Sequence, residues 1–228
     1  MSSPSSRRRL PLLSPLLPWL LLIFLLPGGA DVNAAEPRPF DARYHLEVDG
    51  WPNATIEHRL SRDGGQWLSD MRAEMALARG RERSRFLAGE AVRSLYYASG
   101  YSLLGVGKRY ALDHEALARL PDRQAALFAL SRRAAEGACS ALCELRYLDH
   151  RGRETRVEYR MLPPATLSLP AGNFAAVRVD VVEPDEPDRW LRFSFHPGVP
   201  GLLLAMEYHR HGERRSRLAL TALDLPPR

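Results

Sequence analysis

Apolar and polar residues alternate along most of the chain. In residues 40–49 every second side chain is apolar or aromatic and the others are polar or charged, and Thr155–Met161 shows the same pattern. Period-two alternation is typical of a strand with one face in a core and one in water, and it favours antiparallel pairing. Six further segments alternate in this way: 54–60, 67–77, 174–182, 190–196, 202–208 and 216–222.

Short turn signals separate these segments. Glycine, mostly beside Asp, Asn or Pro, recurs at 49–53, 63–65, 150–152, 170–173, 197–201 and 211–212. This spacing predicts an antiparallel meander. The proline-rich stretches 162–164 and 183–187 fit loops at sheet edges.

Helical character is confined to one segment, Asp113–Glu136. Its apolar residues fall roughly at helical spacing, and Pro121 should divide it. The pattern predicts a short helix in the first half. The second half, 124–132, fits a helix or a further strand equally well.

These elements predict a mainly β fold. About ten to twelve antiparallel strands and one short helical segment are expected in a single domain, residues 35–228. Flat open sheets of that size are uncommon, so the sheet should close into a barrel or curl strongly around the helical segment.

The N-terminus carries the features of an export signal. Arg7, Arg8 and Arg9 precede an 11-residue apolar run, Leu16–Leu26, and small residues follow up to Ala34 and Ala35. A bilayer-spanning helix needs roughly 20 apolar residues, so a cleaved signal peptide over residues 1–34 is favoured over a membrane anchor. We therefore expect a periplasmic protein that is not an integral membrane protein after processing. Processing lowers the formal net charge from +5 to +3.

Cys139 and Cys143 are the two cysteines of the chain. Exported proteins pass through an oxidising compartment, which favours a local disulfide between them. Two free thiols remain an alternative. Redox or metal chemistry is less well supported, because the spacing is one residue longer than Cys-x-x-Cys and no further zinc ligands stand at zinc-finger spacing.

Motifs for catalysis or cofactor binding are incomplete. Gly105–Arg109 lacks two residues of a phosphate-binding loop and fits a turn, and no Gly-x-Ser-x-Gly elbow occurs. His114-Glu115 has Ala118 where a zinc-protease helix needs histidine. His209 and His211 would share the wet face of a strand, which fits surface histidines better than a metal site. We assign no catalytic residues, no metal and no cofactor.

Arginines at every second position form the most distinctive positive feature. If the segment is extended, one strand face carries four guanidinium groups: Arg79, Arg81, Arg83 and Arg85. Such a stripe suits a polyanion, although a solvated strand face explains it as well. Nucleic acid is not expected, because no recognised binding motif accompanies the stripe.

Several short motifs resemble an exported bacterial family, domain-of-unknown-function family 3108. The residues that carry the resemblance are Pro39–Tyr44, Gly64–Trp67, Leu169–Val179 and Phe193–Gly198. The resemblance implies a Gram-negative periplasmic β protein without an established activity. The Cys139 and Cys143 pair departs from the family's general pattern.

The favoured hypothesis is a non-enzymatic periplasmic protein whose curved sheet binds a lipid or other hydrophobic ligand, in cell-envelope assembly or maintenance. The alternative is a structural or interaction module that docks on an anionic envelope component through the arginine stripe. A hydrolase of envelope polymers is a weaker alternative.

Overall fold

The computed structural model describes residues 36–226, which form one twelve-stranded sheet and one helix. The predicted mainly β class, with antiparallel strands and one short helical segment, is confirmed. The predicted signal peptide lies outside the described residues. The elements are β1 (Phe40–Val48), β2 (Ala54–Asp63), β3 (Gln66–Met75), β4 (Ala78–Ala88), β5 (Val92–Leu103), β6 (Val106–Leu112), α1 (Arg123–Ala135), β7 (Cys143–Leu148), β8 (Glu154–Leu169), β9 (Gly172–Val182), β10 (Arg189–Phe195), β11 (Leu203–Arg210) and β12 (Glu213–Asp224).

Two six-stranded antiparallel meanders meet in the middle of the sheet. The strand order is β6-β5-β4-β3-β2-β1-β12-β11-β10-β9-β8-β7, and β1 pairs with β12 with Tyr44 opposite Leu220. The sheet does not close, since β6 and β7 are its edges. It curls instead around α1, which packs against β4 and β5 of one meander and against β7, β9 and β10 of the other.

The inner face of the sheet is filled differently at its two ends. Odd-numbered strands run towards one end, which we call the open end, and even-numbered strands run away from it. At the other end, strands and helix bury a large core that includes Phe40, Tyr44, Leu60, Trp67, Phe86, Phe128, Phe195 and Leu204. Burial of these side chains supplies the main favourable free energy of folding.

Asp122 is the N-cap residue of α1 and anchors the start of the helix to β4 and β5. Its fully buried carboxylate accepts hydrogen bonds from Ser84 Oγ and Ser94 Oγ, both at 2.7 Å, and from two backbone N–H groups of the first helical turn. Burial raises the pKa of this carboxyl, and the hydrogen bonds oppose that shift. Leu148 N of β7 donates to Pro121 O at 2.8 Å, so this N-cap also ties β7 to the other meander.

The structure corrects two local predictions. Residues 113–120 form turns rather than a helix, and the helix occupies the second half of the segment, because Asp122 after Pro121 is the effective N-cap. Pro163 and Pro164 lie inside β8 instead of in a loop. They are tolerated because β8 beyond Tyr159 pairs with β9 alone, with a register shift at the prolines.

No helix in residues 36–226 has the length and apolarity needed to cross a bilayer.

Candidate functional site

A cavity of about 790 Å³ lies on the inner face at the open end. Its apolar lining comes from both meanders and from α1, and includes Ile56, Met71, Leu127, Val181, Leu191 and Met206. Small-molecule sites typically occupy roughly 300–1,000 Å³ and are mostly apolar. The volume and lining therefore suit a hydrophobic ligand.

Small side chains on three adjacent strands create this space. On the inner faces of β3 and β4, the large residues Trp67 and Phe86 fill the closed end, and Tyr97 of β5 packs in a separate small cluster with Leu112, Leu117 and Leu148. Ala73, Gly80 and Ser99 face the cavity. Ala73 and Gly80 are paired across β3 and β4. A Cβ atom built on Gly80 would lie 3.7 Å from Ala73 Cβ, so the backbone leaves room for a side chain there.

Four charged groups at the cavity form two ion pairs, and Glu183 also lines it. Glu82 on β4 pairs with Arg123 at the start of α1, with Arg123 Nε 2.9 Å from Glu82 Oε2. Gln124 Nε2 donates to the same oxygen at 3.3 Å. Desolvation lowers the pKa of Arg123. Arg189 pairs with Glu186 on the other meander. Because these charges are paired with one another, the apolar lining is the main feature that the cavity offers to a ligand.

The arginine stripe lies on the other face of the sheet. Arg79, Arg81, Arg83 and Arg85 are on β4 and point outward, opposite to the inward Ser84 and Phe86. Two of them share a carboxylate, since Arg81 Nε and Arg83 Nε lie 3.0 and 3.1 Å from oxygens of Asp70. Arg85 lies 3.9 Å from Asp63. The β3 register, which places Asp70 opposite Arg83, produces this partial neutralisation.

The outward stripe forms one wall of a shallow groove of about 1,020 Å³. Small residues of β5 and β6 and three tyrosines, Tyr96, Tyr101 and Tyr110, also line it, and Lys108 and Arg109 add two further cations. Lys108 and Arg109 belong to the segment whose glycines suggested a turn. Of that segment only Gly105 lies in a turn, which it forms with Leu104 at positive φ angles, whereas residues 106–109 begin strand β6.

Cys139 and Cys143 are joined by a disulfide, with their Cα atoms 6.0 Å apart. The bond connects the segment after α1 to the first residue of β7. It closes a very short loop, so its contribution to the free energy of unfolding falls towards the lower part of the roughly 0–5 kcal/mol range.

His209 and His211 do not form a shared site. The His209 ring stacks on Trp190 at 3.7 Å between ring centroids, and its Nε2 lies 3.2 Å from Glu207. His211 Nδ1 lies 3.0 Å from Asp188. The prediction that His209 lies on a solvent-exposed face is wrong, because its side chain is only 14% exposed. A register shift between Tyr208 and His209 accompanies this stacking.

One serine and histidine pair lies within hydrogen-bond distance. His58 Nε2 and Ser69 Oγ are 2.9 Å apart, but both residues are buried, and Phe40 packs edge-on against the imidazole at 5.0 Å. No group of three metal-ligating side chains occurs within residues 36–226. No sequence motif indicates this pair, because only the β2–β3 register brings the two residues together.

Comparisons with known proteins identify a related fold. A β-barrel-like protein of domain of unknown function DUF1849 from Brucella abortus superimposes with a TM-score of 0.53 and 10% identity, over 85% of this chain and 100% of that one. MucB of Pseudomonas aeruginosa, solved in complex with MucA, matches at a TM-score of 0.40 and 13% identity, over 83% of this chain and 53% of that one. No protein-family model and no curated protein matches the chain. The chain therefore has a β-barrel-like fold of the kind that the DUF1849 protein shows.

Proposed function

We propose that this protein binds a lipid or other hydrophobic ligand in the cavity at the open end, and that it acts without catalysis. The observation that carries the proposal is the cavity itself, which is apolar, of ligand size and built from both meanders and α1. A ligand that binds the folded chain and not the unfolded chain stabilises the fold by mass action.

The proposed location is the periplasm, where the protein would act in cell-envelope assembly or maintenance. The export features of residues 1–34 support this location. Membership in family 3108 is part of the proposal. In its support, the start of the Leu169–Val179 motif forms the tight β8–β9 turn. Phe174 of this motif and His196 of the Phe193–Gly198 motif pack with their ring centroids 6.3 Å apart.

The test compares the parent with a cavity-filling variant. Gly80→Phe places an aromatic ring inside the cavity, and Ala98→Phe, the matched control, places one on the outward face of β5. The parent and Ala98→Phe should bind a fluorescent fatty acid saturably, and Gly80→Phe should bind it at least tenfold more weakly. Native mass spectrometry and lipid extraction of the purified parent should reveal a co-purifying lipid.

The proposal fails if the parent carries no lipid and does not respond to the fluorescent fatty acid. It also fails if Gly80→Phe, shown to be folded by circular dichroism, binds the probe as tightly as the parent does.

Docking on an anionic envelope component through the arginine stripe remains the alternative. The two ion pairs to Asp70 reduce the charge that Arg81 and Arg83 offer, which is why the cavity is preferred.

A further inference from the structure

Large apolar side chains are exposed together at the open end. Leu77 lies in the β3–β4 turn, and Leu103, Leu104 and Val106 lie at the β5–β6 turn. Leu104 N donates to Leu77 O at 3.0 Å, so the two turns form one unit, which we call the apolar tip. Leu104 is 71% and Val106 79% exposed. Contiguous exposed apolar groups of this kind mark interaction surfaces.

The backbone at the tip makes the choice of leucine unusual. Leu104 has φ +52° and Gly105 φ +84°, the left-handed conformation that two-residue hairpin turns require. Asn-Gly is the common solution, because leucine is strained at positive φ. A leucine that is strained in the backbone and exposed to water contributes nothing to folding there. Its side chain is better explained by a contact made outside the fold.

Positive charges lie beside the tip. Arg79 follows the β3–β4 turn, and Lys108 and Arg109 follow the β5–β6 turn, all three exposed. The acidic turn 183–188 is at the same end but belongs to the other meander, and Glu183 and Glu186 line the far side of the cavity. Exposed arginines of the other meander, among them Arg151 and Arg210, also lie at this end, and Glu74 stands opposite Arg79. The charge at the open end is therefore mixed, and the three cations beside the apolar tip supply the complementarity to an anionic surface.

Protruding aliphatic turns with flanking cations suit a lipid bilayer better than a protein partner. Interfacial membrane binding combines burial of apolar side chains at the head-group boundary with attraction between Lys or Arg and anionic lipids. Trp51, exposed in the β1–β2 turn of the same end, adds an aromatic residue of the type favoured at membrane interfaces.

We propose that the apolar tip inserts into the surface of an anionic phospholipid bilayer, with Arg79, Lys108 and Arg109 contacting lipid phosphates. Tyr101 of β5 connects the tip to the cavity, because it lines the cavity and lies two residues before Leu103. Docking in this orientation brings the cavity opening next to the membrane. The insertion itself does not depend on the proposed ligand.

The experiment measures co-sedimentation of the protein, purified after export, with vesicles of phosphatidylglycerol and phosphatidylcholine in equal amounts. All variants carry the same N-terminal residues, so differences between them report on the tip. Leu104→Asn combined with Val106→Thr should weaken binding at least tenfold without loss of thermal stability, since asparagine tolerates the left-handed turn. Lys108→Gln with Arg109→Gln should abolish the preference for anionic over pure phosphatidylcholine vesicles.

Two controls separate this inference from others. Leu142→Asn removes a leucine that is 57% exposed just before β7, away from the tip, and should bind vesicles like the parent. Gly80→Phe should lose the fatty-acid probe and keep vesicle binding, so the cavity and the membrane contact are tested independently. The proposal is overturned if the parent does not sediment with anionic vesicles, an outcome that would favour a protein partner for the tip. It is equally overturned if the tip variant binds as the parent does.

Discussion

His58 is a histidine held neutral inside the core. Burial lowers its pKa from 6.5 to about 4, and the charges of Asp70 and Asp41 oppose the shift. Its ring nitrogen has a partner in Ser69, and Phe40 covers the ring. Protonation would place a charge in an apolar site, so the folded state resists it.

We predict that this residue makes stability sensitive to acid. Between pH 6.5 and about 4 the unfolded chain binds a proton at His58 that the folded chain does not, so stability falls as the pH falls through this window. The full loss is about 3 kcal/mol, since each pKa unit corresponds to ~1.4 kcal/mol. It is absent above pH 6.5. Urea unfolding of the parent and of His58→Gln across pH 4–7.5 measures it. Equal slopes in both proteins would contradict the prediction.

At the scale of elements, the position of α1 depends on a glycine in the β10–β11 turn. Gly201 has φ +84°, and its N donates to Ser131 Oγ of the helix at 2.7 Å. A Cβ atom there would lie 2.8 Å from Phe128 Cδ2, the ring that packs on Phe86. The absence of a side chain at Gly201 lets this turn approach the helix closely.

Gly201→Ala should therefore destabilise the fold by roughly 2–4 kcal/mol, through strain at positive φ and overpacking against Phe128. Gly212→Ala is the matched control, because Gly212 has φ +80° and no atom within 4 Å of its Cβ position. It should cost about 1–2 kcal/mol. Chemical denaturation of both variants compares them. Similar losses of stability in the two variants would mean that the contact with Phe128 adds nothing to the effect of Gly201→Ala.

Helix α1 also shows the limit of what the local sequence pattern can predict. The sequence left residues 124–132 open between helix and strand, because short apolar runs fit both. Packing of Phe128 on Phe86 and the hydrogen bonds to Asp122 settle the choice, and both involve residues of β4 or β5 that are about 28–42 positions away.

At the scale of the whole molecule, the pairing of β1 with β12 makes one sheet of two meanders. These strands lie in the middle of the sheet, with partners on both sides. β6 and β7 are both edges, but β7 packs against α1, whereas β6 is exposed along most of its length. Local opening should begin where buried contacts are fewest.

Hydrogen exchange followed by mass spectrometry should therefore rank the strands. Amides of β1 and β12 should exchange slowest, those of β7 at intermediate rates, and those of β6 at least tenfold faster than those of β1. Uniform protection across the sheet, or a β6 more protected than β7, would contradict this ranking.

The sequence by itself determined most of the strands, their antiparallel order and the turns between them, because alternation and turn chemistry are local properties of neighbouring residues. It also placed the four arginines on one face of β4. It did not reveal Asp70 as their partner, since cross-strand pairs depend on register.

Only the tertiary structure decided where the sheet curls and what it encloses. Ala73, Gly80 and Ser99 are ordinary small residues in the sequence. They line a cavity because Ala73 pairs with Gly80 across β3 and β4, and the β5 register places Ser99 diagonal to Gly80 on the face opposite α1. The exposed leucines of two turns likewise become one tip through a hydrogen bond between residues 27 positions apart. Long-range pairing, which no local pattern encodes, therefore determines both candidate sites.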